Sequence, residues 1–168
     1  MPLRDLLAPG LRVVIAGTIA AWHREEREHY YAGTGNHFWT LLHESGLVAR
    51  PLGPEDDHLL PSFGIGLTDL VRTRRSAPGE PPVYDLAGFR RAVRRADPLA
   101  VAFVSKAAAG SYARCAGERQ PRDYGPLSWQ VAGRPAFVLP GPSGANNGMP
   151  LPLRIALWRD LADFLDTL

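Results

Sequence analysis

Asp69 stands at the end of an apolar run, Gly64-Ile-Gly-Leu-Thr-Asp69, where a carboxylate needs a reason. A partly desolvated Asp there could accept a proton from water or stabilise a neighbouring cation. It could equally cap a helix or pair with Arg72 or Arg74. Lys106 is the only lysine in the chain. It starts a helix directly after a strand, where its ammonium and the helix N–H groups suit a phosphate; a surface salt bridge is the simpler reading. Residues 140–150, Pro-Gly-Pro-Ser-Gly-Ala-Asn-Asn-Gly-Met-Pro, are too rich in Gly, Pro and Asn for regular structure. Ser143 lies in that stretch outside any Gly-x-Ser-x-Gly elbow, which argues against a serine hydrolase. No Gly-x-Gly-x-x-Gly follows the first strand, which argues against a dinucleotide fold. The single cysteine, Cys115, excludes an internal disulfide and a cysteine-held iron–sulfur cluster. It reads as a small residue near a helix end. His23, His29, His37, His43 and His58 form no zinc spacing with a second ligand class, so no metal is expected.

Net charge is only +2 over 168 residues, but it is unevenly spread. From Arg72 to Arg122, eleven basic residues face four acidic ones, a local charge of +7. Such a band on a nearly neutral chain resembles a polyanion-binding face, or else an Arg-rich solvated surface. Trp22-His-Arg-Glu-Glu-Arg-Glu-His29 is highly charged and reads as a solvated helical turn.

These residues need a scaffold. Residues 11–16 and 101–105 are unbroken apolar runs of the kind buried on both faces of a parallel sheet. Residues 136–139 form a third run, and 63–70, weakened by glycines, a fourth. Between them lie helices. Asn36 can cap one that presents Phe38, Leu41, Leu42 and Ser45 on one face and stops at Gly46. Asp85 can cap 86–96, with Leu86, Phe89, Val93 and Ala96 inward and Arg90, Arg91, Arg94 and Arg95 outward. Another helix follows at 106–114. The last starts near Pro152, with Leu153, Leu157, Leu161, Phe164 and Leu168 on one stripe.

The alternation argues a single-domain α/β three-layer sandwich over 1–168. Its central, mostly parallel four-stranded sheet is flanked by helices. Ligands of such sheets bind outside the carboxyl ends of the strands. No apolar run is long enough for a transmembrane helix. No apolar stretch near the start resembles a secretory leader, so a cytoplasmic, nucleoid-associated location is expected.

Several segments together resemble the mismatch-specific branch of the uracil-DNA glycosylase superfamily, which includes the thymine-DNA glycosylases. They are Arg12-Val-Val-Ile-Ala-Gly-Thr18, Tyr30-Tyr-Ala-Gly-Thr-Gly-Asn-His-Phe-Trp39, Gly64-Ile-Gly-Leu-Thr-Asp-Leu-Val71, Val101-Ala-Phe-Val-Ser-Lys106 and Phe137-Val-Leu-Pro-Gly-Pro-Ser-Gly144. Their order and spacing span nearly the whole chain. The resemblance implies an enzyme that flips a base from DNA and hydrolyses its N-glycosidic bond. It implies no cofactor, DNA as partner, no membrane, and a monomer.

The resemblance also assigns roles. Gly17, Thr18 and Ile19 match the loop that holds the base oxygens through backbone N–H groups, but Ile19 stands where the family carries a water-positioning Asn. Ile cannot orient water, so Asp69 becomes the expected catalytic residue, as in a variant branch with an acid in the Leu-Thr-Asp motif. Glu25 or Glu28 is the alternative. Tyr31 matches the aromatic residue that stacks on the flipped base, and Asn36 is a helix cap or a base reader. Pro142, Ser143 and Gly144 match the DNA-inserting loop. Ala145 holds the place of the family's Leu wedge, with Met149 as the possible substitute. Lys106 is expected at a phosphate. The Ile19 and Ala145 departures also leave open an inactive DNA-binding homologue. Another alternative is a glycosylase preferring deaminated purines or single-stranded DNA.

Overall fold

The computed structural model describes residues 3–19, 28–71, 81–144, 146 and 148–168. The sheet is built from β1 (Val13–Ile19), β2 (Ile65–Val71), β3 (Ala100–Phe103), β4 (Gly125–Val131) and β5 (Arg134–Val138), in the order β2-β1-β3-β5-β4. The first four in that order are parallel, and β4 pairs antiparallel with β5. The fold is therefore the expected α/β sandwich, with five strands rather than four.

The fifth strand has no unbroken apolar run: Leu127, Trp129 and Val131 alternate with Ser128 and Gln130, the pattern of an edge strand buried on one face. Its signal is the two-residue turn to β5, where Ala132 (φ 48°) and Gly133 (φ 79°) both adopt left-handed backbone. That geometry matches the twist of a hairpin. The opposite edge, β2, is covered by the N-terminal segment: Leu6 and Leu67 exchange two backbone hydrogen bonds of 3.0 and 2.9 Å. An otherwise open edge is thereby blocked.

Period-two alternation divides β1 between the layers. Val13 and Ile15 join α1 (Phe38–Glu44) and α4 (Leu151–Asp166) on one face, together with Leu60 of a 3-10 helix over Pro54–Phe63. Ala16 joins α2 (Leu86–Ala96) and α3 (Lys106–Ala116) on the other. Each large side chain so buried contributes ~1.5–3 kcal/mol. Phe38 and Trp158 meet edge-on with ring centroids 5.7 Å apart at the centre of the first layer.

The helix caps largely follow their sequence signals. The Asp85 side chain accepts from Gly88 N at 2.9 Å, as its N-cap role requires. The cap of α1 falls on His37, one residue later than expected, although Asn36 Oδ1 still accepts from Phe38 N at 3.0 Å. In α4 the expected stripe is rotated: Leu153 and Leu168 are exposed, and the buried positions are Arg154, Trp158, Leu161 and Leu165. This helix carries apolar residues around much of its circumference, so packing against α1 and the sheet selects its phase.

Candidate active site

The carboxyl ends of β1, β2, β3 and β5 open into one cleft of about 610 Å³. Gly17, Thr18, Tyr31, Asn36, Asp69 and Ser143 all line it, so the structure brings together most of the residues singled out in the sequence. Asp69 sits inside β2, opposite Gly17 in the parallel register. It therefore caps no helix. Arg72 and Arg74, its alternative partners, lie outside the described residues, as do Ala20–Arg27 and with them Glu25. Alternation places Asp69 on the same face as Ile65 and Leu67, which belong to the α1–α4 core. This explains why a carboxylate ends an apolar run: the core face of β2 finishes at the cleft. Asp69 is only 6% exposed.

Gly17 makes this position possible. A Cβ there would lie 2.7 Å from Asp69 Oδ1, 3.5 Å from the Tyr31 hydroxyl and 3.7 Å from Val104 Cγ2. The carboxylate and the phenol thus converge above one glycine. Burial pushes the Tyr31 phenol well above its ordinary value, and the Asp69 charge pushes it further. The residue as a whole is half-buried, with its hydroxyl beside Gly17 and the Asp69 carboxylate. The phenol consequently stays a neutral hydrogen-bond donor.

Tyr31 is held by two devices. Its ring stacks on Phe38 with centroids 3.9 Å apart and planes 16° apart. Its backbone takes φ 52°, in the left-handed region that a bulky side chain rarely adopts. The preceding residues are anchored by buried Asp57, whose Oδ2 accepts from Tyr30 N at 3.1 Å while both its oxygens lie 3.3 Å from His29 Nδ1. Strained backbone of this kind clusters at ligand sites.

The 140–144 segment forms the far wall. Pro142 O accepts from His37 N at 2.8 Å, and a Cβ on Gly144 would lie 3.0 Å from Gly35 O. The segment is thereby closed against the turn before α1. Met149 is half-buried beyond a turn with Asn146 and is not among the residues lining the cleft. Ala145 lies outside the described residues. Ile19 ends β1 opposite Val71. Glu28 is exposed.

Lys106 begins α3 behind Ser105, whose hydroxyl accepts from Ala108 N at 2.9 Å. Its ammonium lies 4.5 Å over the ring of Tyr124, another lining residue, and makes no ion pair among the described residues. Tyr124 carried no sequence signal, because it sits in an irregular Gly/Pro/Arg segment.

Among the described residues the basic segment is divided between the two ends of the sheet. Lys106 stands at the carboxyl end of the sheet, whereas Arg95 lines a separate hollow with Asp5, Leu7, Ala8 and Pro9 at the amino end. The cause is the direction of α2, which runs antiparallel to the strands and carries its last-turn arginines away from the cleft.

The family model for the uracil DNA glycosylase superfamily matches residues 4–162. The chain belongs to that superfamily. A similar solved structure is the solution NMR structure of a candidate uracil DNA glycosylase from Methanosarcina acetivorans, 21% identical, with a TM-score of 0.63 over 98% of this chain and 97% of that one. At that identity the likeness establishes the uracil-DNA-glycosylase fold. The glycosylase-like cleft is chemically equipped for a flat polar ring. It offers an aromatic face, a buried carboxylate, a neutral phenol and main-chain groups at three strand ends.

Proposed function

We propose that this chain is a single-domain, monofunctional DNA glycosylase of the mismatch-specific branch. It removes uracil or a related deaminated base from mismatched duplex DNA and leaves an abasic site. The observation that carries this reading is the buried Asp69 carboxylate over Gly17, facing Tyr31 in a cleft at the strand ends.

In this reading the flipped base enters between Tyr31 and the 140–144 segment and stacks on the open face of the Tyr31 ring, whose other face rests on Phe38. Stacking of this kind is worth ~1–3 kcal/mol and tolerates several bases. The C1′–N1 bond breaks with its electron pair passing to the base, leaving an oxocarbenium-like sugar. Asp69 stabilises that cation and accepts a proton from the water that adds to C1′. The departing base anion takes a proton from solvent, and the products are the free base and an abasic deoxyribose. Each step uses protein groups and water alone, so no cofactor is invoked.

The test is incubation of the purified protein with labelled duplexes carrying U, T, hypoxanthine or xanthine opposite each normal base, and with the matching single strands, followed by alkali cleavage. Strand scission only after alkali, strongest for uracil opposite guanine, supports the proposal. Scission strongest for hypoxanthine or xanthine moves the substrate to deaminated purines. Binding without scission on any substrate makes the chain an inactive DNA-binding homologue.

A further inference from the structure

Arg154, in the first turn of α4, is only 2% exposed. A buried guanidinium is costly unless it is hydrogen-bonded and balanced by charge. Among the described residues Arg154 makes no ion pair. Its Nη1 instead donates to the carbonyls of Gly141 at 3.4 Å and Ser143 at 3.2 Å, two residues that line the cleft. Its Nε is buried without a hydrogen-bond partner.

Two other donors reach the same segment. Trp158 Nε1 donates to Pro140 O at 3.0 Å, and Asn146 Nδ2 donates to Gly141 O at 3.2 Å. Arg154 and Trp158 are one helical turn apart on the buried stripe of α4, so one face of the helix draws the carbonyls of 140, 141 and 143 inward. In a trans peptide the N–H of the next residue points opposite to the carbonyl. Drawing in the Pro140 and Ser143 carbonyls therefore turns the N–H groups of Gly141 and Gly144 away from α4. The Arg154 charge behind the Ser143–Gly144 peptide plane polarises it in the sense that favours an anion in front of the Gly144 N–H, while the Trp158 indole orients the Pro140–Gly141 plane.

We propose that Arg154 is a positioning residue for DNA binding: it holds the 140–144 segment with the Gly141 and Gly144 N–H groups presented to a backbone phosphate, and its charge strengthens that site. This deepens the glycosylase reading and rests on it. Lysine would keep the charge but not the rigid planar guanidinium that fixes Nη1 between the two carbonyls.

The experiment measures binding of a labelled duplex carrying one 2′-fluoro-2′-deoxyuridine opposite guanine, by anisotropy, at a temperature where melting curves show each protein folded. Single-turnover excision at saturating protein is measured beside it on the deoxyuridine duplex. Arg154→Met is expected to raise Kd at least about tenfold, with the saturated rate constant changed far less. Arg154→Lys should restore part of the affinity. If Arg154→Met does not fold, Trp158→Phe removes the donor to Pro140 from a side chain that cannot touch DNA, and should raise Kd severalfold. A folded Arg154→Met with unchanged Kd overturns the proposal; so does an unchanged Kd in Trp158→Phe where Arg154→Met is unfolded. A wild type that binds no duplex at low salt overturns the glycosylase reading itself.

Discussion

Gly17 and Asp69 face each other across adjacent parallel strands, and a Cβ at position 17 would come within 2.7 Å of Asp69 Oδ1. The backbone of Gly17 is not left-handed, so alanine is excluded there by the carboxylate and not by conformation. Gly17→Ala is expected to displace the Asp69 carboxylate and lower single-turnover excision by at least about tenfold. The check is the rate constant on a uracil duplex beside a melting curve. Full activity in a folded variant would show that the site tolerates a shifted carboxylate.

Asp69→Asn keeps the shape of the side chain and removes its basicity. Single-turnover excision should fall by about a hundredfold or more. DNA affinity should stay level or rise slightly, because an anion near phosphates is lost. Adding Ile19→Asn should recover part of the uracil activity. Full activity in Asp69→Asn with loss in Glu28→Gln would move the chemistry to the charged segment before Tyr31.

Tyr31 couples stability to alkaline pH. Its phenol is held above the ordinary value of 10.0 by burial and by Asp69. The unfolded chain releases this proton near the ordinary value and the folded chain retains it. The contribution is therefore complete below about pH 10 and is lost as pH rises through the folded value. Urea midpoints between about pH 9 and 11 should fall more steeply for the wild type than for Tyr31→Phe. Equal slopes would place the phenol in solvent.

DNA affinity should fall with salt through counterion release, and the contributing charges should be those near the cleft. Lys106→Ala is expected to reduce the slope of log Kd against log salt by about one. Arg94→Ala and Arg95→Ala, in the last turn of α2 at the other end of the sheet, should leave it unchanged. Equal effects from both sets would indicate binding without a defined face.

Ala132 opens the β4–β5 turn with φ 48°, a conformation that costs an L-residue other than Asn or Gly roughly 1 kcal/mol. Ala132→Asn and Ala132→Gly should each raise the melting temperature by a few degrees. A lowered melting temperature in both would mean that the alanine methyl contributes more through packing against the α2–α3 core layer than its backbone costs.

Local pattern sufficed for much of this molecule. Apolar runs at 11–16, 63–70 and 101–105 read as buried strands, and Asp85 before an amphipathic segment reads as a helix start. Asp69 was legible because a carboxylate at the end of such a run contradicts its surroundings. The tertiary structure decided what local pattern leaves degenerate. The strand order and register set Asp69 against Gly17 and, with α1, against Tyr31, across stretches of chain that carry no mutual signal. The direction of α2 divided a contiguous basic segment between opposite ends of the sheet. The phase of α4, apolar on more than one side, was settled by packing, and that phase turned Arg154 inward beneath the 140–144 segment. Nearest-neighbour chemistry writes elements into a sequence; contacts between distant elements, each needing a partner's surface to choose a face, assemble the site.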